Sequence, residues 1–186
     1  MTRATTDQAE GLRRLFAADA THMVALVGNE AQDISAALAV ALAGQGRKVL
    51  LLDEQLLAGD AHPLATLPIP HDIGAVVRGE KSLQEIVVPV AGITLLPGGI
   101  GRSSHGNHSA DAARVRLLAG FHALASLFDV VLVHSAPAEQ RHGLGFALAA
   151  PEVLTLCEGS ANGITACYSQ IKLMARAPGK RHFRLL

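Results

Sequence analysis

Three apolar runs end on residues that could do chemistry. Val49–Leu52 is followed by Asp53-Glu54-Gln55, Asp129–Val133 by His134-Ser135, and Met23–Val27 by Gly28-Asn-Glu-Ala-Gln-Asp33. A loop that leaves a buried strand and opens a helix can hold a phosphate on its backbone N–H groups. Such a cradle needs several glycines, a lysine for the terminal phosphates and a Ser or Thr hydroxyl for magnesium. The loop after Val27 has one glycine and no lysine, and Glu30 and Asp33 would repel a triphosphate. It reads instead as a helix start, with Asn29 as cap and acids in the first turn that complement the helix dipole. His134 beside Ser135 suggests a hydrolase, but no G-x-S-x-G turn surrounds the serine. His105 and His108 share a loop and lack a third ligand, so no metal is expected. Asp53, a lone carboxylate at a strand end, reads as a cap or hydrogen-bond acceptor.

The elements that position these residues alternate. Met23–Val27 and Val49–Leu52 are short apolar segments of the kind buried on both faces of a parallel sheet. Between them, Ile34, Leu38, Ala41 and Leu42 space as one apolar helical stripe that stops at Gly44-Gln-Gly46. A turn-rich segment, Gly59 to His71, follows, then short helices at Asp72–Arg78 and Ser82–Val87 and a third strand at Ile93–Leu96. Gly98–Ser109 is rich in glycine and serine and reads as a mobile loop. A helix over Ala110–Leu127 leads into the Asp129–Val133 strand. A loop from Ser135 to Gly145, a short helix, a strand at Val153–Cys157, a helix at Gly163–Arg176 and an extended run at Phe183–Leu186 complete the order. This alternation predicts an α/β fold, a mostly parallel twisted sheet with helices on both faces and every strand-to-helix loop at one edge. Residues 1–20 divide from the 21–186 domain as an amphipathic helix, Asp7–Ala17, and a linker.

The 186 residues carry 16 basic and 16 acidic side chains, so no bulk charge favours nucleic acid or a membrane surface. Two isolated cysteines, Cys157 and Cys167, form no disulfide framework or metal spacing and suit a reducing cytoplasm. The N-terminus lacks the apolar core of a signal peptide, and no apolar run reaches spanning length.

Several of these stretches carry a resemblance. Asp7-Gln-Ala-Glu-Gly-Leu-Arg-Arg14 is similar to a DQAxGLR motif; Val49–Asp53, Asp72–Pro97 with Arg78-Gly-Glu80 and Leu95-Leu-Pro97, Asp129–Val133 and Pro151–Leu185 with Ile171-Lys172 and Arg181–Arg184 extend it almost end to end. Together they resemble the FlhG (FleN, YlxH) family of MinD/ParA-like P-loop ATPases that control flagellar number and placement. The resemblance implies the P-loop NTPase fold and, in the family, ATP and magnesium. It places Gly28, Asn29, Ser35, Asp53, Gln55 and His134 at the positions of the nucleotide site. Here the family's KGGVGKT loop is shorter and has neither lysine, the second acid of Asp-x-Asp is Gln55, and the magnesium-associated Asp is His134. Phosphoryl transfer depends on positioning and on charge neutralisation by lysine and metal, so these three changes imply a protein without cofactor or ATPase activity. The alternative is a weak, atypical ATPase with Lys48 or Arg102 in place of the missing lysine.

In the family the DQAxGLR segment docks on FlhF, an SRP-type GTPase, and stimulates its GTP hydrolysis. Carried over, Gln8 would be the stimulating side chain, and Asp7, Leu12, Arg13 and Arg14 the contacts of a partner-binding helix. A flagellar switch-complex protein and a flagellar transcription activator are further partners that the resemblance allows. The family's C-terminal membrane-targeting helix has no counterpart in the sequence, so no stable membrane anchor is expected and the chain is read as cytoplasmic.

Overall fold

The computed structural model describes residues 21–28, 31–100, 117, 120–135, 145–177, 179 and 181–186. Its first unit is strand β1 (His22–Val27), helix α1 (Ala31–Gly44) and strand β2 (Val49–Asp53). Two short helices, α2 (Ile73–Val77) and α3 (Leu83–Ile86), precede strands β3 (Val88–Val90) and β4 (Ile93–Pro97). Helix α4, residues 120–125, leads to β5 (Val130–Ser135). A 3-10 turn (Phe146–Leu148), β6 (Glu152–Thr155), α5 (Ala161–Ala175) and β7 (His182–Leu185) follow.

The described strands form one sheet in the order β3-β4-β2-β5-β1-β6-β7. Every neighbouring pair is parallel except β3 with β4. β2 is buried along its whole length between β4 and β5, which is why it reads as a continuous apolar run without alternation. Its side chains still alternate in direction. Leu50 and Leu52 join the cluster that contains Phe121, Leu124, Ile73, Leu83 and Met174, and Leu51 joins the one that contains Ala31, Ala36 and Ala39 of α1. Both faces of the sheet are therefore covered. On the first, the Phe121 and Phe146 rings pack at 4.7 Å and 45°, a tilted aromatic geometry.

The expected stripe of α1 is corrected by the structure. Ile34 and Ala41 are exposed, and the buried residues are Ala31, Ser35, Ala36 and Ala39. Leu38 and Leu42 flank the contact, half-buried. Small side chains let the helix axis approach the sheet, and rotating the helix to bury Ile34 would push it off. β5 runs two residues further than expected and takes in His134 and Ser135, because residues 22–27 of β1 pair with all of residues 130–135. β6 ends at Thr155 and α5 begins at Ala161, with Ser160 Oγ accepting from Gly163 N at 3.0 Å as its cap. The antiparallel edge strand β3 is absent from the sequence reading. Its two-residue turn places Ala91 (φ 49°) and Gly92 (φ 80°) in the left-handed region, where Asn-Gly is the usual signal and alanine is rare. The short helices α2 and α3 fall where expected. Asp72 caps α2 through Gly74 N at 2.9 Å, and Ser82 with Glu85 forms a capping box on α3.

At the end of β1 the chain turns sharply. Gly28 has φ 139°, and a Cβ there would lie 2.7 Å from the Leu156 carbonyl oxygen. Gly28→Ala is expected to destabilise the fold by more than about 1 kcal/mol, read as a lower urea midpoint at unchanged slope. An unchanged midpoint would show that the turn can relax.

Candidate functional site

Parallel strands deliver their C-terminal ends to one edge of the sheet, and the register of β2 with β5 places Asp53 opposite His134. Asp53 continues the side of the sheet that α1 covers and is wholly buried, and His134 is 6% exposed. His134 Nδ1 lies 2.7 Å from Asp53 Oδ1. A carboxylate only accepts, so Nδ1 carries the proton. The same oxygen accepts from Gln55 N at 2.9 Å, and Oδ2 accepts from Gln32 Nε2 in the first turn of α1 at 3.2 Å.

A second imidazole completes the cluster. His62 comes from the turn-rich loop after β2 and is 4% exposed. That loop is closed by Gly59 N to Ile69 O at 2.7 Å, Ile69 N to Asp60 O at 2.9 Å and Ala58 N to Asp72 Oδ2 at 3.0 Å. His62 Nδ1 accepts from Leu64 N at 3.2 Å, which puts the ring proton on Nε2. Nε2 stands 3.9 Å from Asp53 Oδ2, beyond hydrogen-bond reach, and is a buried polar atom without a partner.

These contacts set the protonation states. Burial by itself would raise the Asp53 carboxyl. The hydrogen bond and charge of His134, the Gln55 N–H and the charge of His62 outweigh it, so the group lies below the ordinary value of 3.8. Burial lowers His62 below 6.5 against the pull of Asp53, and His134 adds to the lowering. Glu54 faces the other way. It is 1% exposed, and its side chain accepts from Phe146 N at 2.6 Å, tying β2 to the 3-10 turn.

The cluster fits poorly with a magnesium nucleotide. Three of the roughly four acceptor directions of the Asp53 carboxylate are occupied, and the side chain at 134 presents an N–H to that carboxylate where a metal would need an oxygen. No group of three or more His, Cys, Asp or Glu residues among the described residues could hold a metal.

No protein-family model matches the sequence. The chain is 30% identical over 155 residues to the antiactivator FleN of Pseudomonas aeruginosa, a match that covers 83% of this chain and 55% of FleN. It thus spans about half the length of that relative. Among solved structures, the cell division ATPase MinD of Pyrococcus furiosus superposes with a TM-score of 0.65 at 21% identity, over 88% of this chain and 71% of that one. The septum site-determining protein MinD of Pyrococcus horikoshii, complexed with Mg-ADP, gives 0.61 at 18% identity over 89% and 70%. The ParA family ATPase of Chlorobium tepidum gives 0.61 at 15% identity over 89% and 72%. The chain has the MinD/ParA-like α/β fold and is a FlhG/FleN relative.

Against this fold, the residues expected at the nucleotide positions divide. Asp53 and His134 are in contact, and Gln55 supplies its backbone N–H while its side-chain Nε2 is buried without a partner. Ser35 is turned into its own helix, its Oγ donating to Gln32 O at 2.8 Å. Gly28 packs on Leu156 at the same sheet edge. Asn29, Glu30, Arg102, His105 and His108, and the partner-binding Asp7, Gln8, Leu12, Arg13 and Arg14, lie outside the described residues. Two expectations are corrected. Asp53 is the hydrogen-bond acceptor expected but not a lone carboxylate, because the sheet register, the loop after β2 and helix α1 surround it with His134, His62 and Gln32. Lys48 cannot replace a phosphate lysine, because it precedes β2 at the opposite sheet edge, about 17 Å from Asp53 at some 3.3 Å per residue. His62 was not singled out from the sequence. It is one of nine histidines, and only the folded loop brings it to the strand end.

The two shifts act in the same direction on stability. His62 takes up a proton at lower pH when folded than the 6.5 at which it does so unfolded, so stability falls as pH drops below 6.5. Asp53 contributes stability that is complete above 3.8 and is lost as pH falls through its lower folded value. Urea titrations across this range are expected to show two stages of loss. His62→Gln should make the upper stage shallower and leave the acid stage in place; an identical upper stage would mean that other histidines account for it.

Proposed function

We propose that this chain is a flagellar regulator of the FlhG/FleN type that works in the cytoplasm by binding other proteins and does not hydrolyse ATP. The observation that carries this reading is the pairing of Asp53 with His134, which commits the carboxylate at the end of β2 to an imidazole. An acid is available for metal-assisted phosphoryl transfer only while its oxygens can face a cation and a polyphosphate. The loop Gly28–Asp33, with two acids and no lysine, supports the same conclusion. Calorimetric titration with ATP and magnesium is expected to give no binding heat up to millimolar nucleotide, and micromolar affinity would overturn the reading.

The partner supported best by the sequence is an FlhF-like SRP-type GTPase, with the Asp7–Arg14 segment as the docking helix and Gln8 reaching the GTPase site. Adding the protein should raise the partner's GTP turnover, and Gln8→Ala should remove most of that rise while leaving binding in place. A second reading has one observation in its favour: the relative carries the name antiactivator, which suggests a transcription activator as the bound protein. Unchanged GTP turnover in the presence of the chain, together with capture of a flagellar activator, would favour this second partner.

A further inference from the structure

The sheet edge opposite Asp53 carries a groove of about 490 Å³, lined by Lys48, Val49, Pro89, Val90, Ile93 and Phe128 among others. It crosses the starts of β2 and β4 and the β3–β4 turn. Val49 and Ile93 are buried in its floor. Val90 and Phe128 are half-buried, and Pro89 and Lys48 are exposed at the rim. The backbone beside it is fixed, with Lys48 N donating to the Asp129 carboxylate at 2.8 Å and Asp129 N to Lys48 O at 2.9 Å. The chain enters beside this groove. Thr21 Oγ1 donates to Phe128 O at 3.1 Å and reaches Ala125 O at 3.5 Å, so the residues before Thr21 start at the Phe128 end. Leu127, between those two carbonyls in sequence, is 62% exposed. Residues 7–17 lie outside the described residues and read from the sequence as a helix whose Ala9, Leu12, Leu15 and Phe16 share one face. Four peptide steps separate Ala17 from Thr21, a reach of at most about 14 Å. The helix itself would be about 16 Å long, and the groove runs from β5 to β3, three strand spacings or about 14 Å. Tether, length and apolar face therefore all match.

We propose that the 7–17 helix folds back into this groove of its own chain, with Phe16 nearest Phe128 and Ala9 nearest Pro89 and Val90. Covering the half-buried apolar walls drives the docking. Gln8, Leu12 and Leu15 follow one another at i, i+4 and i+7, so the face that enters the groove is also the face that presents Gln8. A docked helix hides Gln8 and Leu12, and a partner that uses them has to lift the helix out first. The groove and the partner thus compete for one helix face. This competition, though not the docking itself, rests on the partner reading given above.

An isolated helix of this length, with Gly11 inside it, is too short to hold in water, so slow amide exchange there reports docking. Hydrogen-exchange mass spectrometry on the whole chain is expected to show residues 7–17 exchanging at least about tenfold more slowly than the same sequence as a free peptide. Leu12→Asp with Phe16→Asp, and separately Val90→Glu in the groove, should each return them to the peptide rate. A benzophenone amino acid in place of Phe16 should cross-link within the chain to residues 48–49 or 127–130. If Val90→Glu fails to fold, this cross-link map decides. Peptide-like exchange in the unaltered chain, protection that survives Val90→Glu in a folded chain, or cross-links only to other surfaces or to a second copy would overturn the docking. Val90→Glu should also raise the chain's stimulation of a GTPase partner. Protection of residues 7–17 without stimulation by any variant would overturn the competition and the partner reading and leave the docking in place.

Discussion

The site depends on one buried charge and the groups that keep it charged. A carboxylate sealed from water costs several kcal/mol unless hydrogen bonds replace its hydration. Asp53 meets this condition with donors from three places: the imidazole of His134, the backbone of Gln55 and the amide of Gln32. These donors come from β5, from the residues just after β2 and from α1, so one acid ties two neighbouring strands and the first helix together at the sheet edge. The pair adds little net stability compared with an apolar core, because desolvation offsets attraction. Removing one member is different, since the other is then left buried and unpartnered.

The sheet makes this arrangement possible through register. Parallel pairing of residues 49–53 with residues 130–134 sets Asp53 and His134 side by side, and a shift of one residue would turn either side chain to the opposite face. That register is fixed by apolar side chains on both faces, so the core specifies the polar pair. The small residues of α1 act at the next level. Ala31, Ser35, Ala36 and Ala39 hold the helix close to the sheet, close enough for Gln32 to reach the carboxylate.

Much of the fold was legible in the sequence because its central strands are buried on both faces and read as uninterrupted apolar runs. The short helices α2 and α3 were legible as elements, and the structure adds their caps, Asp72 and Ser82. Legibility failed where a tertiary contact decided the outcome. β3 was hidden by a turn that holds an alanine in the left-handed region, and the face of α1 by a preference for large apolar residues where close packing needed small ones. Ser135 joined β5 because β1 was there to pair with it. At the site, the identities of Asp53 and His134 were evident, and their contact was not. His62 and Gln32 were invisible as partners, because neither has a sequence spacing to Asp53 that implies proximity; each arrives through its own connection to the sheet edge.

The Asp53–His134 contact also limits which amino acids can follow one another at these two positions over time. Putting Asp at position 134 alone would set two carboxylates against each other in a sealed space with no cation between them, and one would have to stay protonated. The two positions are therefore coupled: a substitution at one calls for a compensating substitution at the other.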